Sequence, residues 1–135
     1  MASSIDQALS RAQGTIPECV ACGAVDMSSG MLLGVKTIES HPREVLDLVA
    51  AATADLFQGP NVTSIEKMFK KIRGVKDDTP YFKELIVNSE NLIHVFLRSK
   101  KNTNNAVVFI TRAGANLGLV LSKSRSCMED LEGVL

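Results

Sequence analysis

The sequence has no tryptophan, one tyrosine and three cysteines, and its fifteen basic residues balance fifteen acidic ones. So few cysteines, in an odd number, fit reduced cytoplasmic thiols better than a disulfide framework. A neutral chain attracts nucleic acid and anionic lipid weakly, so we expect neither as a partner. Apolar runs fall far short of the roughly 20 residues that span a bilayer, and residues 1–11 do not resemble a signal peptide. We therefore expect a cytoplasmic protein without membrane insertion.

The chain does contain the balance of residues typical of a folded protein, with 45% hydrophobic and 22% charged residues in a length of 135. A chain of this size can bury a core without the help of disulfides or metal. No repeat, low-complexity segment or linker interrupts the sequence. We therefore predict a single domain over residues 1–135.

The first part of the sequence predicts a helix followed by a β-hairpin. Apolar residues recur at helical spacing between a serine cap, Ser3 or Ser4, and Gly14, the expected end of the helix. Two apolar runs, residues 18–26 and 31–38, then have the composition of strands. The turn MSSG joins them as a hairpin.

The region 42–73 is predicted to be helical, with an interruption. His41-Pro42-Arg43-Glu44 has the proline and acid typical of a helix start. The apolar residues that follow at helical spacing are Val45, Leu48, Val49, Ala52 and Leu56. Gly59-Pro60 breaks this pattern, so we predict either two helices or one helix kinked there. The second half has Asn61 or Thr63 as cap, a basic polar side, Gly74 at its end, and apolar residues at Ile65, Met68, Phe69 and Ile72.

The remainder predicts three strands and a closing helix. The strands are residues 81–88, 92–98 and 106–111, separated by polar turns, and the helix begins at about Asn116. Short links make neighbouring strands antiparallel. The predicted class is therefore α+β, in the order α-β-β-α(α)-β-β-β-α, with one five-stranded antiparallel sheet and helices on both faces.

Three segments carry a wider similarity: ACGAVDMSSGMLLGVKT, ENLIHVFLRSKKNTNNAVVFIT and RAGANLGLVLSKSRSCMEDLEGVL. With the element order, they resemble the roadblock / dynein light chain family over nearly the whole chain. The resemblance implies a profilin-like, three-layer α/β/α sandwich, with a middle helix on one face and the two terminal helices on the other. The long helical region split at Gly59-Pro60 departs from the family pattern.

The resemblance also implies a function. Bacterial and archaeal members of the family are small regulators of Ras-like GTPases, so we expect a non-enzymatic regulatory or scaffold protein without a cofactor. Members resemble homodimers or heterodimers joined through their third strands. That strand is apolar here and contains no proline, and such an edge tends to find a partner. The residues expected at the dimer interface are Phe82, Glu84, Leu85, Ile86 and Val87.

A second surface is expected on the basic side of the helical region. Its residues are Lys67, Lys70, Lys71 and Arg73. Such a cluster forms either a solvated helix face or a docking surface for an acidic protein partner. We name it as the candidate partner surface, for a small Ras-like GTPase or another protein.

The segment CVAC contains Cys19 and Cys22 at the spacing of a redox or metal motif. On a strand, residues three apart point to opposite faces with Cα atoms about 10 Å apart, beyond the ~7 Å that a disulfide allows. A zinc site needs two further ligands, and only Cys127, His41 and His94 remain, widely scattered. We interpret both cysteines as small core residues, with a thiol redox module as an alternative.

The remaining motifs favour structure over chemistry. His94 lies in an apolar strand and is interpreted as a satisfied or edge residue, and His41 before Pro42 as part of a helix start. The segment GANLG matches neither phosphate-binding glycine motif, so we interpret it as a strand-to-helix turn with Asn116 as cap. A small-molecule sensor with a pocket between sheet and helix is the other alternative function.

Overall fold

The computed structural model describes residues 3–38 and 43–135, with the backbone alone for residues 43–45. Over these residues the chain forms four helices and five strands, in the predicted order. Their bounds are α1 (Ser4–Thr15), β1 (Cys19–Asp26), β2 (Met31–Thr37), α2 (Arg43–Gln58), α3 (Pro60–Arg73), β3 (Glu84–Asn88), β4 (Leu92–Arg98), β5 (Asn105–Arg112) and α4 (Leu117–Glu132).

The five strands form one antiparallel sheet in the order β2-β1-β5-β4-β3. The three inner strands are almost entirely buried, which explains their near-continuous apolar sequences. The edge strands β2 and β3 contain no fully buried residue, and most of β3 is exposed. The predicted α+β class and the antiparallel sheet are confirmed.

The sheet carries a separate apolar layer on each face. On one face, Leu9 of α1 and Leu131 of α4 pack with Phe109 of β5. On the other face, Phe57 of α2 packs with Phe96 of β4. All five side chains are fully or almost fully buried. The chain is therefore a three-layer sandwich, with the terminal helices on one side and the middle helix on the other.

The helix α1 lies directly against the edge strand β2 at Gly34. A Cβ atom at Gly34 would come within 2.9 Å of the Asp6 Oδ1 and Ile5 Cγ2 atoms. Any larger residue would therefore force the Ile5 or Asp6 side chain to move, so glycine favours this close approach. Ser3 caps α1 by accepting a hydrogen bond from the Asp6 N–H, as predicted, whereas the helix continues past Gly14 to Thr15.

The helical region divides into two helices at Gly59. Gly59 has an extended conformation at the N-cap of α3, and Pro60 occupies the first helical turn, where its missing N–H costs little. A side chain at position 59 would approach the Asp55 carbonyl oxygen within 2.6 Å. The predicted caps Asn61 and Thr63 are wrong, since Thr63 lies inside the helix and donates to the Pro60 carbonyl.

The other predicted boundaries have two outcomes. Gly74 ends α3 in a left-handed conformation, with φ of 71°, as expected for a C-terminal glycine. The predicted helix start at His41-Pro42 lies outside the described residues. Among the residues that the structure describes, no helix is long and apolar enough to cross a membrane.

Candidate functional site

The strand β3 presents an unpaired backbone edge. The Ser89 N–H donates to the Leu92 carbonyl and the Arg98 N–H donates to the Lys83 carbonyl. Because hydrogen-bonded positions alternate along an antiparallel pair, the backbone groups of Glu84, Ile86 and Asn88 point away from β4. A row of free N–H and C=O groups therefore runs along this edge of the sheet.

The side chains predicted at the dimer interface occupy different environments. Ile86 and Val87 are exposed on β3. Leu85 is half-buried against the α2 layer, and Phe82 packs there too, because β3 begins only at Glu84. The Glu84 carboxylate accepts two hydrogen bonds from Arg125 of α4, at 2.8 and 2.9 Å, which lower its pKa. The part of this set open to a partner is therefore Ile86, Val87 and the backbone edge.

The helix α2 has a second apolar stripe that faces away from the sheet. Its members, which we call the outer α2 stripe, are Leu48, Ala52 and Leu56, spaced by four residues on one side of the helix. Leu48 is 70% exposed. The residues that instead bury α2 against the sheet are Ala50, Thr53 and Phe57. Helical spacing in the sequence does not separate this outer stripe from the residues that face the sheet, such as Val49.

The helix α3 attaches to the rest of the domain through polar side chains and through the Phe69 ring, which packs on the Tyr81 ring at 5.4 Å between centroids. The Glu66 carboxylate accepts hydrogen bonds from the backbone N–H groups of Tyr81 and Phe82. One turn later, Lys70 Nζ lies 3.3 Å from the Asp77 carboxylate and donates to the Thr79 carbonyl. These contacts hold α3 against residues 77–82, the segment that leads into β3.

Most of the apolar side of α3 faces solvent. No residue of α3 is buried, and Met68 and Ile72 are 63% and 79% exposed. Lys67 and Lys71 are exposed and form no ion pair among the described residues, whereas Arg73 lies over the Tyr81 ring at 5.9 Å. We call this the α3 surface, and its members are Ile65, Met68, Phe69, Ile72, Lys67, Lys71 and Arg73.

Arg98 connects the elements that carry these surfaces. It lies at the end of β4 and is only 7% exposed. Its guanidinium donates to the carbonyls of Phe57 and Phe82, both at 3.2 Å, and to Gln58 Oε1 at 3.1 Å. It also lies over the Phe57 ring at 4.9 Å. Burial lowers the pKa of Arg98. No sequence signal identified it, since an arginine that ends an apolar strand is usually exposed.

The two cysteines of the CVAC segment share one face of the sheet, which corrects the predicted opposite orientation. The register of β1 against β5 shifts between Cys19 and Ala21, and this bulge resets the alternation of side chains. Both cysteines therefore pack in the layer under α1 and α4. Their assignment to strand β1 and their interpretation as small, free core residues are confirmed.

The thiols form an internal hydrogen-bonding group. The Cys22 thiol donates to the Leu9 carbonyl at 3.2 Å, and the Cys19 thiol donates to the Ala21 carbonyl at 3.3 Å. The neighbouring Cys22 thiol lowers the pKa of Cys19, while the Cys19 thiol and burial raise the pKa of Cys22. Burial also raises the pKa of Cys127.

Native alkylation should be slow at both cysteines of the CVAC segment. Cys19 and Cys22 are at most 6% exposed, and reaction needs an accessible thiolate. Iodoacetamide followed by peptide mass spectrometry should label half-buried Cys127 first, and label the other two only after unfolding in urea. Rapid labelling of Cys19 in the folded protein would contradict this and favour the redox alternative.

The structure places the remaining candidates as follows. The Asn116 side chain caps α4 by accepting from the Leu119 N–H at 3.0 Å, as predicted. His94 lies on the inner strand β4 with its ring stacked near Phe96. Its Nδ1 atom has no hydrogen bond among the described residues, so the interpretation of His94 as a satisfied or edge residue is wrong. Within the described residues, no three His, Cys, Asp or Glu side chains come together as a metal-binding group.

The comparisons with known proteins agree with this architecture. No family model and no curated protein matches the sequence. Among solved structures, gliding protein MglB from Thermus thermophilus has a TM-score of 0.70 and 17% identity, over 96% of this chain and 87% of that one. The Roadblock/LC7 domain from Streptomyces avermitilis has a TM-score of 0.70 and 11% identity, over 97% of both chains. The chain has the roadblock/LC7 fold.

A third similar structure has a described assembly. It is an MglB with a tetrameric arrangement, with a TM-score of 0.71 and 16% identity, over 98% of this chain and 90% of that one. These similarities extend over almost the whole chain, so α3 belongs to the part that is compared. The roadblock/LC7 fold predicted from the three sequence segments is therefore confirmed.

Proposed function

We propose that this chain is a non-enzymatic regulatory subunit that forms a homodimer and binds a small Ras-like GTPase. The observation that carries the proposal is the unpaired β3 edge beside exposed apolar residues on β3 and α2. An apolar strand edge and an outward apolar helix stripe in one domain are typical of surfaces that another chain covers. The roadblock/LC7 fold supports both partners by resemblance.

The dimer joins two β3 strands in antiparallel pairing and packs the two outer α2 stripes side by side. Free backbone groups at Glu84, Ile86 and Asn88 supply the hydrogen bonds, and Ile86 and Val87 supply apolar contact. Because a two-fold interface is self-complementary, one edge and one stripe per chain suffice. The tetrameric arrangement of the similar MglB is consistent with a fold that associates with copies of itself.

The α3 surface is the proposed site for the GTPase. It combines an exposed apolar stripe with outward cations, and Glu66, the acidic residue of this helix, faces the domain itself. Its complement is an apolar patch bordered by carboxylates. Lys67, Lys71 and Arg73 of the predicted partner surface belong to it, whereas Lys70 forms contacts within the domain. The chain then acts by positioning the GTPase's own switch residues, without a catalytic residue of its own.

Met68→Glu should lower the affinity for the partner at least about tenfold, since it places a charge at the centre of an apolar contact. Isothermal titration should measure this with the small Ras-like GTPases of the source organism, bound to a non-hydrolysable GTP analogue. Met31→Glu is the matched control, because Met31 on β2 is 65% exposed and Met68 is 63% exposed.

Two results would contradict the assignment. One is that no such GTPase binds the unmodified protein. The other is that the variants at Met68 and Met31 weaken binding equally, which would place the contact elsewhere. Light scattering on each variant should still show the dimer, because neither residue lies on β3 or in the outer α2 stripe.

A further inference from the structure

A cavity of about 620 Å³ lies between the sheet and the first half of α2. Its volume falls within the range of small-molecule pockets, roughly 300–1,000 Å³. Leu46 and Val49 of α2 face it from one side. The apolar walls on the sheet side are formed by Val20, Ala21, Leu32, Val35, Val108 and Ile110.

The cavity is open because the apolar layer under α2 is filled at one end only. Near the end of α2, Phe57 and Phe96 fill the space between helix and sheet. Toward the start of α2, strand β1 contributes Ala21 and Gly23 to the lining, and these small residues leave the space unfilled.

The polar groups of the cavity are few, and one has no partner. His94 Nδ1 is buried without a hydrogen bond among the described residues. The imidazole is held in a near-parallel stack with Phe96, at 6.3 Å between centroids and 13° between planes. A buried nitrogen without a partner is unfavourable, and this cost is removed if the imidazole turns the nitrogen toward a ligand that hydrogen-bonds to it.

The charge of the lining selects the kind of ligand. Asn91 and Arg112 border the cavity where β4 begins and β5 ends, and none of the lining residues that the structure describes is acidic. An imidazole that can donate a hydrogen bond, on walls that are otherwise mostly apolar, favours an anion over a cation. We propose that this cavity binds a small carboxylate with an apolar body, whose carboxylate hydrogen-bonds to His94 and whose body lies along Val108 and Ile110.

This proposal goes beyond GTPase regulation and is independent of it. The cavity lies on the inner side of α2, whereas the outer α2 stripe lies on the opposite side of that helix. Binding is therefore measured on the protein alone. Neither the dimer nor a GTPase is needed for the measurement.

Decanoate is the probe, and decanol is its matched control with the same tail and no charge. Two-dimensional NMR of the imidazole signals should show a saturable shift of His94 with decanoate. Decanol should bind at least about tenfold more weakly. Val108→Phe fills the cavity and should abolish the shift, whereas Leu33→Phe, on the exposed edge strand, should leave it unchanged.

His94→Phe keeps an aromatic ring but removes both ring nitrogens, and it is the second variant if Val108→Phe does not fold. This variant should lower the affinity for decanoate about tenfold. The affinity is measured from the NMR shifts of the backbone amide signals of residues 107–110. The proposal is overturned if millimolar decanoate gives no saturable shift or if decanol binds as tightly. Unchanged binding in a folded Val108→Phe variant, or in His94→Phe, would also overturn it.

Discussion

Ile86→Pro should convert the dimer into a monomer. The Ile86 N–H points away from β4, so proline removes a hydrogen bond from the outer edge and none from the pairing within the domain. Proline also blocks close approach of a second strand at the centre of β3. The dimer dissociation constant should rise at least about a hundredfold, measured by analytical ultracentrifugation.

Ile86→Thr is the control for this substitution, because it keeps the N–H and the β-branched shape while reducing the apolar surface. We expect it to weaken the dimer by less than Ile86→Pro does. Thermal unfolding should show that the proline variant remains folded. A folded Ile86→Pro variant that stays dimeric would show that the two copies do not join through β3, and would leave the outer α2 stripe as the surface to test.

Arg98→Met should lower the free energy of unfolding by about 2–4 kcal/mol. Methionine fills much of the same space but leaves the carbonyls of Phe57 and Phe82 without their donors. A buried acceptor that loses its partner costs about 1–3 kcal/mol, which is why the expected loss is large. Urea unfolding followed by circular dichroism measures the difference.

Arg125→Met is the matched control, because Arg125 forms an exposed ion pair with Glu84 on the other face of the sheet. Exposed pairs contribute about 0–1 kcal/mol, so this variant should be close to the unmodified protein in stability. Arg98→Lys keeps the charge but not the planar set of donors, and should lie between the two. Equal stability of the variants Arg98→Met and Arg125→Met would show that the buried guanidinium contributes little.

Much of the fold follows from local sequence signals. Alternating and continuous apolar runs predict strands, and the turns between them are short, so antiparallel pairing is the expected result. Gly59-Pro60 interrupts the helical region because proline lacks an N–H and glycine permits the close approach to Asp55. Asn116 is recognisable as a cap because its side chain binds a backbone N–H only three residues along the chain, so the signal is local.

The features that matter for function depend on contacts between distant residues. Helical spacing identified Leu48 and Leu56 as apolar, but which stripe faces the sheet depends on where α2 lies, and Phe57 takes the inner position. Similarly, the apolar pattern of α3 is typical of a core helix. The structure attaches it through Glu66 and Lys70, because residues 77–82 bring their backbone groups to its polar side.

The sequence by itself determined the elements, their order and the antiparallel sheet, since each depends on spacing and turn residues within a few positions. The tertiary structure alone decided the shared face of Cys19 and Cys22, the burial of Arg98 and the cavity beside His94. The shared face of the cysteines depends on a one-residue bulge in β1. The burial of Arg98 depends on a carbonyl 41 residues away, and the cavity depends on the distance between α2 and the sheet. None of them is visible in the local pattern, because each depends on residues that meet only when the chain has folded.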